Sequence, residues 1–88
     1  MASIRDLKRD VNYVLGDIIE AVYMWELTNP DKDNKKSQSI IDEAIVTFDD
    51  LVAKINNKEV ENRKQHLKEV NKELETRAGA LVDQLNKL

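Results

Sequence analysis

The single histidine, His66, stands among Lys64, Gln65 and Lys68, with Glu69 and Glu73 three and seven residues further on. A general base needs a carboxylate that orients its ring, and Glu69 and Glu73 reach His66 only along a helix surface. The expectation is a solvated surface histidine. Paired carboxylates occur at Asp42-Glu43 and Asp49-Asp50, so that Asp42 with Asp49, and Glu43 with Asp50, share a helix face. That spacing would suit a metal ion, but no Glu-x-x-His accompanies it and both pairs flank the apolar stripe, as solvated faces do. The run Asp31-Lys32-Asp33-Asn34 begins like a calcium loop and then places Lys35 and Lys36 where an oxygen ligand and a glycine are required. Two glycines cannot build a phosphate-cradling loop, and neither G-x-S-x-G nor H-E-x-x-H is present. With no cysteine there is no thiol nucleophile, no thiolate zinc site and no disulfide. The residues point to a protein that is not an enzyme and carries no cofactor or metal.

Two charge patterns suggest binding instead. Lys64, Lys68 and Lys72 stack at four-residue steps, a weak basic stripe that would track a nucleic-acid backbone. Glu61, Glu69 and Glu75 interrupt it, and the chain as a whole is acidic, with 14 Lys and Arg against 17 Asp and Glu and a pI near 5.1. Such alternation is the habit of a helix face laced by pairs such as Glu59 with Arg63 and Glu73 with Arg77. The acidic excess lies in the first two helical stretches, and in residues 30 to 57 it comes through Asp31, Asp33, Asp42, Asp49 and Asp50. A chain of that kind would serve as an acidic antidote or regulator that masks a basic protein.

These residues sit in a chain of 88, enough for one domain spanning residues 1 to 88. At this size folding buries only about 60 to 65% of the unfolded surface, which leaves little core for a catalytic pocket. Apolar runs are short and Arg5, Asp6, Lys8, Arg9 and Asp10 crowd the N-terminal region, so neither a membrane span nor a signal peptide is expected. A cytoplasmic protein is the simplest reading.

Few glycines, one proline and abundant Leu, Ala, Glu, Lys and Gln favour an all-α chain. Asn29-Pro30-Asp31-Lys32-Asp33-Asn34 has the chemistry of a helix stop and loop. A second joint follows from phase. At about 100° per residue, the stripe of Ile41, Ala44, Phe48, Leu51, Val52 and Ile55 points roughly 90° away from that of Leu67, Val70, Leu74, Leu81 and Leu85. A tight turn at Asn56-Asn57 resolves the mismatch, with Asn in the left-handed conformation and Glu59 and Glu61 in the first turn that follows.

The predicted architecture is therefore an up-down-up three-helix bundle with helices over roughly 3–29, 36–56 and 58–87. Ser3 is the expected cap of the first helix, whose stripe is Ile4, Leu7, Val11, Val14, Leu15, Ile18, Val22 and Trp25. Val60, Leu67, Leu74, Leu81 and Leu88 recur every seven residues, but Lys64 and Asn71 spoil the companion seam, which makes a bundle-facing edge rather than an autonomous coiled coil.

One stretch is more apolar than the fold requires. From Ile18 to Leu27 only Glu20 and Glu26 are charged, and Ile19, Tyr23, Met24 and Leu27 fall outside the stripe. Val46 and Val82, at the same bundle end, also point away from their own stripes. A helix packed against two neighbours widens its stripe, which would absorb some of these residues. Alternatively, Ile19, Tyr23, Met24 and Leu27 form a surface for a protein partner or for a homodimer, since Tyr and Met are enriched at interface cores.

Overall fold

The computed structural model describes residues 4–88 and shows the expected bundle. Its helices are α1 (Ile4–Thr28), α2 (Lys35–Asn56) and α3 (Arg63–Asn86), each in contact with the other two. The bundle is a rod of 51 × 17 × 17 Å. Ser3 lies outside the described residues.

The core is one continuous strip. Leu7, Val11, Leu15, Ile18 and Val22 of α1 meet Ile40, Ile41, Ala44, Leu51 and Ile55 of α2 and Val70, Leu74, Ala78 and Leu81 of α3. Three predicted members of the α1 stripe stand apart. Val14, about 60° from the mean direction of the buried residues, is exposed, and Trp25 in the last turn is half-buried, as is Ile4 in the first. On α2 the inner face is set differently from the predicted stripe. Ser37, Ile40 and Thr47 are buried, whereas Phe48 and Val52 are half-buried. Both polar groups are satisfied, since the Thr47 hydroxyl donates to the Glu43 carbonyl of its own helix at 2.7 Å and Ser37 Oγ donates to Glu26 Oε2 of α1 at 2.8 Å.

The first joint falls where the sequence places it, between Thr28 and Lys35. Thr28 and Asn29 end α1 by turning side chains back onto it, Thr28 Oγ1 reaching the Met24 carbonyl at 3.1 Å and Asn29 Nδ2 the Trp25 carbonyl at 2.9 Å. At the same end of the bundle Trp25, Lys36, Lys87 and Leu88 line one cavity, which brings together the end of α1, the start of α2 and the end of α3.

The second joint is longer than the predicted tight turn. α2 ends at Asn56, but residues 57–62 form a link before α3 begins at Arg63. Asn57 is extended, with φ −68° and ψ 114°, rather than left-handed, and its Oδ1 accepts from the Glu59 backbone N–H at 3.0 Å. The helix start belongs to Asn62, whose side chain accepts from the Gln65 N–H at 3.0 Å. Glu59, Val60 and Glu61 consequently lie in the link. The expected Glu59–Arg63 helical pair and the expected first heptad position at Val60 fall away with them. The phase argument locates a break correctly, but a strong cap six residues downstream decides where the helix resumes.

Candidate association surface

The buried stripe of α1 defines an outward direction opposite to it. At about 100° per residue, Tyr13, Glu20, Met24 and Leu27 all fall within roughly 40° of that direction, and Tyr23 within roughly 60°. No neighbouring helix covers them, and Tyr13, Tyr23, Met24 and Leu27 are 60%, 51%, 56% and 74% exposed. Ile19 behaves otherwise. It is half-buried against the core, so of the four predicted residues Tyr23, Met24 and Leu27 form the solvent-facing group and Ile19 forms its inner edge.

Register shows what else borders this group. Glu26 Oε2 accepts from Ser37 Oγ and, at 2.9 Å, from Gln38 Nε2, tying α1 to α2 in antiparallel alignment. Ile19 lies seven residues before Glu26 and Ile45 seven after Gln38, so the two are level on the same seam. Ile45 is 48% exposed and its neighbour Val46 is 49% exposed. Ile45 is absent from the sequence-derived surface because it stands about 100° from the α2 core direction, inside the margin that a stripe analysis allows for packing. Val82, 39% exposed, lies on α3.

The patch rests on firm backbone. Thr28 and Asn29 close the last turn beneath Met24 and Trp25, and the Glu26 contacts hold the start of α2 against it. A groove of about 360 Å³ lined by Lys35, Lys36, Ser39, Ile40, Gln84 and Lys87 receives no residue from α1 and is separate from the patch.

His66, Glu43, Asp50 and Glu73 are engaged in joining helices. His66 is half-buried rather than solvated. Its Nε2 stands 2.7 Å from the Lys54 carbonyl, which can only accept, so Nε2 carries the hydrogen and serves the C-terminal end of α2. Arg77 bridges Glu73 at 3.1 Å, Asp50 at 3.2 Å and Glu43 at 3.8 Å, so two of the four paired carboxylates face a guanidinium. Lys54 Nζ lies 2.6 Å from Glu73. The hydrogen bond from Lys54 is the main cause that holds the Glu73 carboxyl below its ordinary pKa; burial opposes it and Arg77 reinforces it. Burial works against the Arg77 guanidinium, but hydrogen bonds to Glu73 and Asp50 outweigh it and raise its pKa. Asp42 and Asp49 are exposed, and among the described residues no three His, Asp or Glu groups gather as a metal site. Lys64, Lys68 and Lys72 are exposed on α3, as are Glu69 and Glu75.

No helix among the described residues is long and apolar enough to cross a membrane. Compared with protein-family models, curated proteins and solved structures, the chain matches none.

Proposed function

We propose that this chain is a non-enzymatic protein-association module that works through the outward face of the C-terminal half of α1, in a cytoplasmic setting. The observation that carries the reading is the exposure of Tyr23, Met24 and Leu27, at 51%, 56% and 74%, within five consecutive positions of a helix whose last turn is held by Thr28 and Asn29. Two large flexible or aromatic side chains beside a leucine supply contact area that a solvated helix has no use for, and they are residue types that interface cores favour.

The acidic-antidote reading has less support, since Glu43 and Asp50 face Arg77. The nucleic-acid reading rests on Lys64, Lys68 and Lys72 in a chain of net charge −3.

The test is the double variant Tyr23→Glu, Met24→Glu, studied by sedimentation velocity and by affinity capture from a cell extract. Loss of self-association or of a captured partner, with helix content unchanged, is the expected result. If both behaviours match those of the parent chain, the surface has no associative role.

A further inference from the structure

The outward face of α1 carries a charge order as well as an apolar patch. Reading along it at three- and four-residue steps gives Arg9, Tyr13, Gly16, Glu20, and then Tyr23 and Met24, all exposed. Arg5 and Arg9 occupy its N-terminal part, with Asp6 held 3.3 Å from Arg9, whereas Asp17 and Glu20 make the following part acidic. A second copy laid parallel would set like charges against like. Laid antiparallel, it sets the basic part of each helix against the acidic part of the other.

A single register satisfies both the charges and the shape. Arg9 and Glu20 are equidistant from the midpoint between Val14 and Leu15, and so are Tyr13 and Gly16. An added Cβ at Gly16 would meet nothing within 4 Å, so the monomer's packing gives no reason for glycine at a mid-helix position where it costs about 1 kcal/mol against alanine. Room for a ring from a second helix gives one.

We infer that a second copy of this chain packs on the outward face of α1 in antiparallel orientation about a twofold axis that passes between Tyr13 and Gly16, level with the midpoint of Val14 and Leu15. Arg9 of each copy meets the partner's Glu20, the Tyr13 ring of each lies over the partner's Gly16, and Tyr23 and Met24 close the two ends over the stem of the partner's Arg5. The contact is isologous, so every pairing occurs twice. The Asp6–Arg9 pair is no obstacle, because its side chains are 57% and 44% exposed and surface pairs of this kind contribute little. This inference rests on the association reading and names its partner.

The experiment is sedimentation equilibrium on the full chain over a wide concentration range, with Arg9→Glu, Glu20→Arg and the two combined. The parent chain is expected to form a dimer. Each single reversal creates two like-charge contacts and should raise the dissociation constant about tenfold or more, and the combined exchange should return it to within about threefold of the parent. Both positions are exposed, and circular dichroism checks that the helices persist in all three variants. A strictly monomeric parent, single variants that dimerise like the parent, or a combined variant as weak as the singles would each overturn the antiparallel pairing. The association reading fails separately, when Tyr23→Glu with Met24→Glu changes neither self-association nor partner capture.

Discussion

Ser37 is fully buried at the start of α2, and its Oγ donates to Glu26 Oε2 across the first corner at 2.8 Å. α2 has no acidic residue in its first turn, and Asn34, in the capping position, makes no side-chain cap bond. Asp33 Oδ1 accepts from the Lys35 N–H at 2.9 Å, and Glu26 adds from α1 a second negative charge at the N-terminal end of α2. Glu26→Ala removes it and strips Ser37 and Gln38 of an acceptor. The expected cost is about 1 to 2 kcal/mol, read as a lower urea midpoint with an unchanged slope.

The Glu73 node makes stability depend on acid. A carboxyl whose folded pKa is depressed contributes stability that is present above its unfolded pKa and disappears as pH falls through the folded value. Stability should therefore decline as the pH drops through and below the ordinary carboxylate range. Glu73→Gln should flatten that decline. Arg77 stays protonated throughout and adds no pH dependence of its own. Urea titrations of both proteins between neutral pH and the acid limb would show it, and superimposable profiles would remove Glu73 from the account.

Replacing His66 with leucine keeps its bulk and removes the donor to the Lys54 carbonyl. That carbonyl still receives the Asn57 N–H at 3.3 Å, so the expected loss is modest, about 0.5 to 1.5 kcal/mol in a denaturation midpoint.

Truncation should separate the core from the patch. Leu51 is fully buried, and Leu51→Ala should cost about 2 to 5 kcal/mol, a large part of the roughly 4 to 13 kcal/mol expected of a domain this size. Leu27→Ala, at a position 74% exposed, should stay within about 0.5 kcal/mol. Equal losses would mean that Leu27 is covered in solution.

The two glycines make a matched pair. An added Cβ meets nothing within 4 Å at either Gly16 or Gly79, so alanine at each should stabilise the fold by about 0.5 to 1 kcal/mol. Only Gly16 lies on the proposed contact face. Gly16→Ala should raise the melting temperature and weaken the dimer, whereas Gly79→Ala should raise the melting temperature alone.

Much of this protein is legible residue by residue. Helix content, the joint at Asn29 to Asn34 and the apolar stripes follow from local propensity and a period of about 3.6, which act within a few residues. The four-residue pair Glu73–Arg77 is visible for the same reason. The Asn62-x-x-Gln65 cap is local too, and it fixes where α3 begins, which the apolar phase, spanning the break, does not locate.

Other features exist only once three helices share an interior. Ser37 finds the Glu26 carboxylate on another helix, whereas Thr47 needs only the Glu43 carbonyl of its own; that both are buried is something an apolar stripe cannot announce. Arg77 collects Asp50 and Glu43 from 27 and 34 residues away, and His66 reaches Lys54 across the second joint. The surplus of Ile19, Tyr23, Met24 and Leu27 is plain in the sequence, but its division is not. Periodicity states how far a side chain points from its own helix's stripe, and only the positions of the neighbouring helices decide that Ile19 is half-buried while Tyr23, Met24 and Leu27 face water.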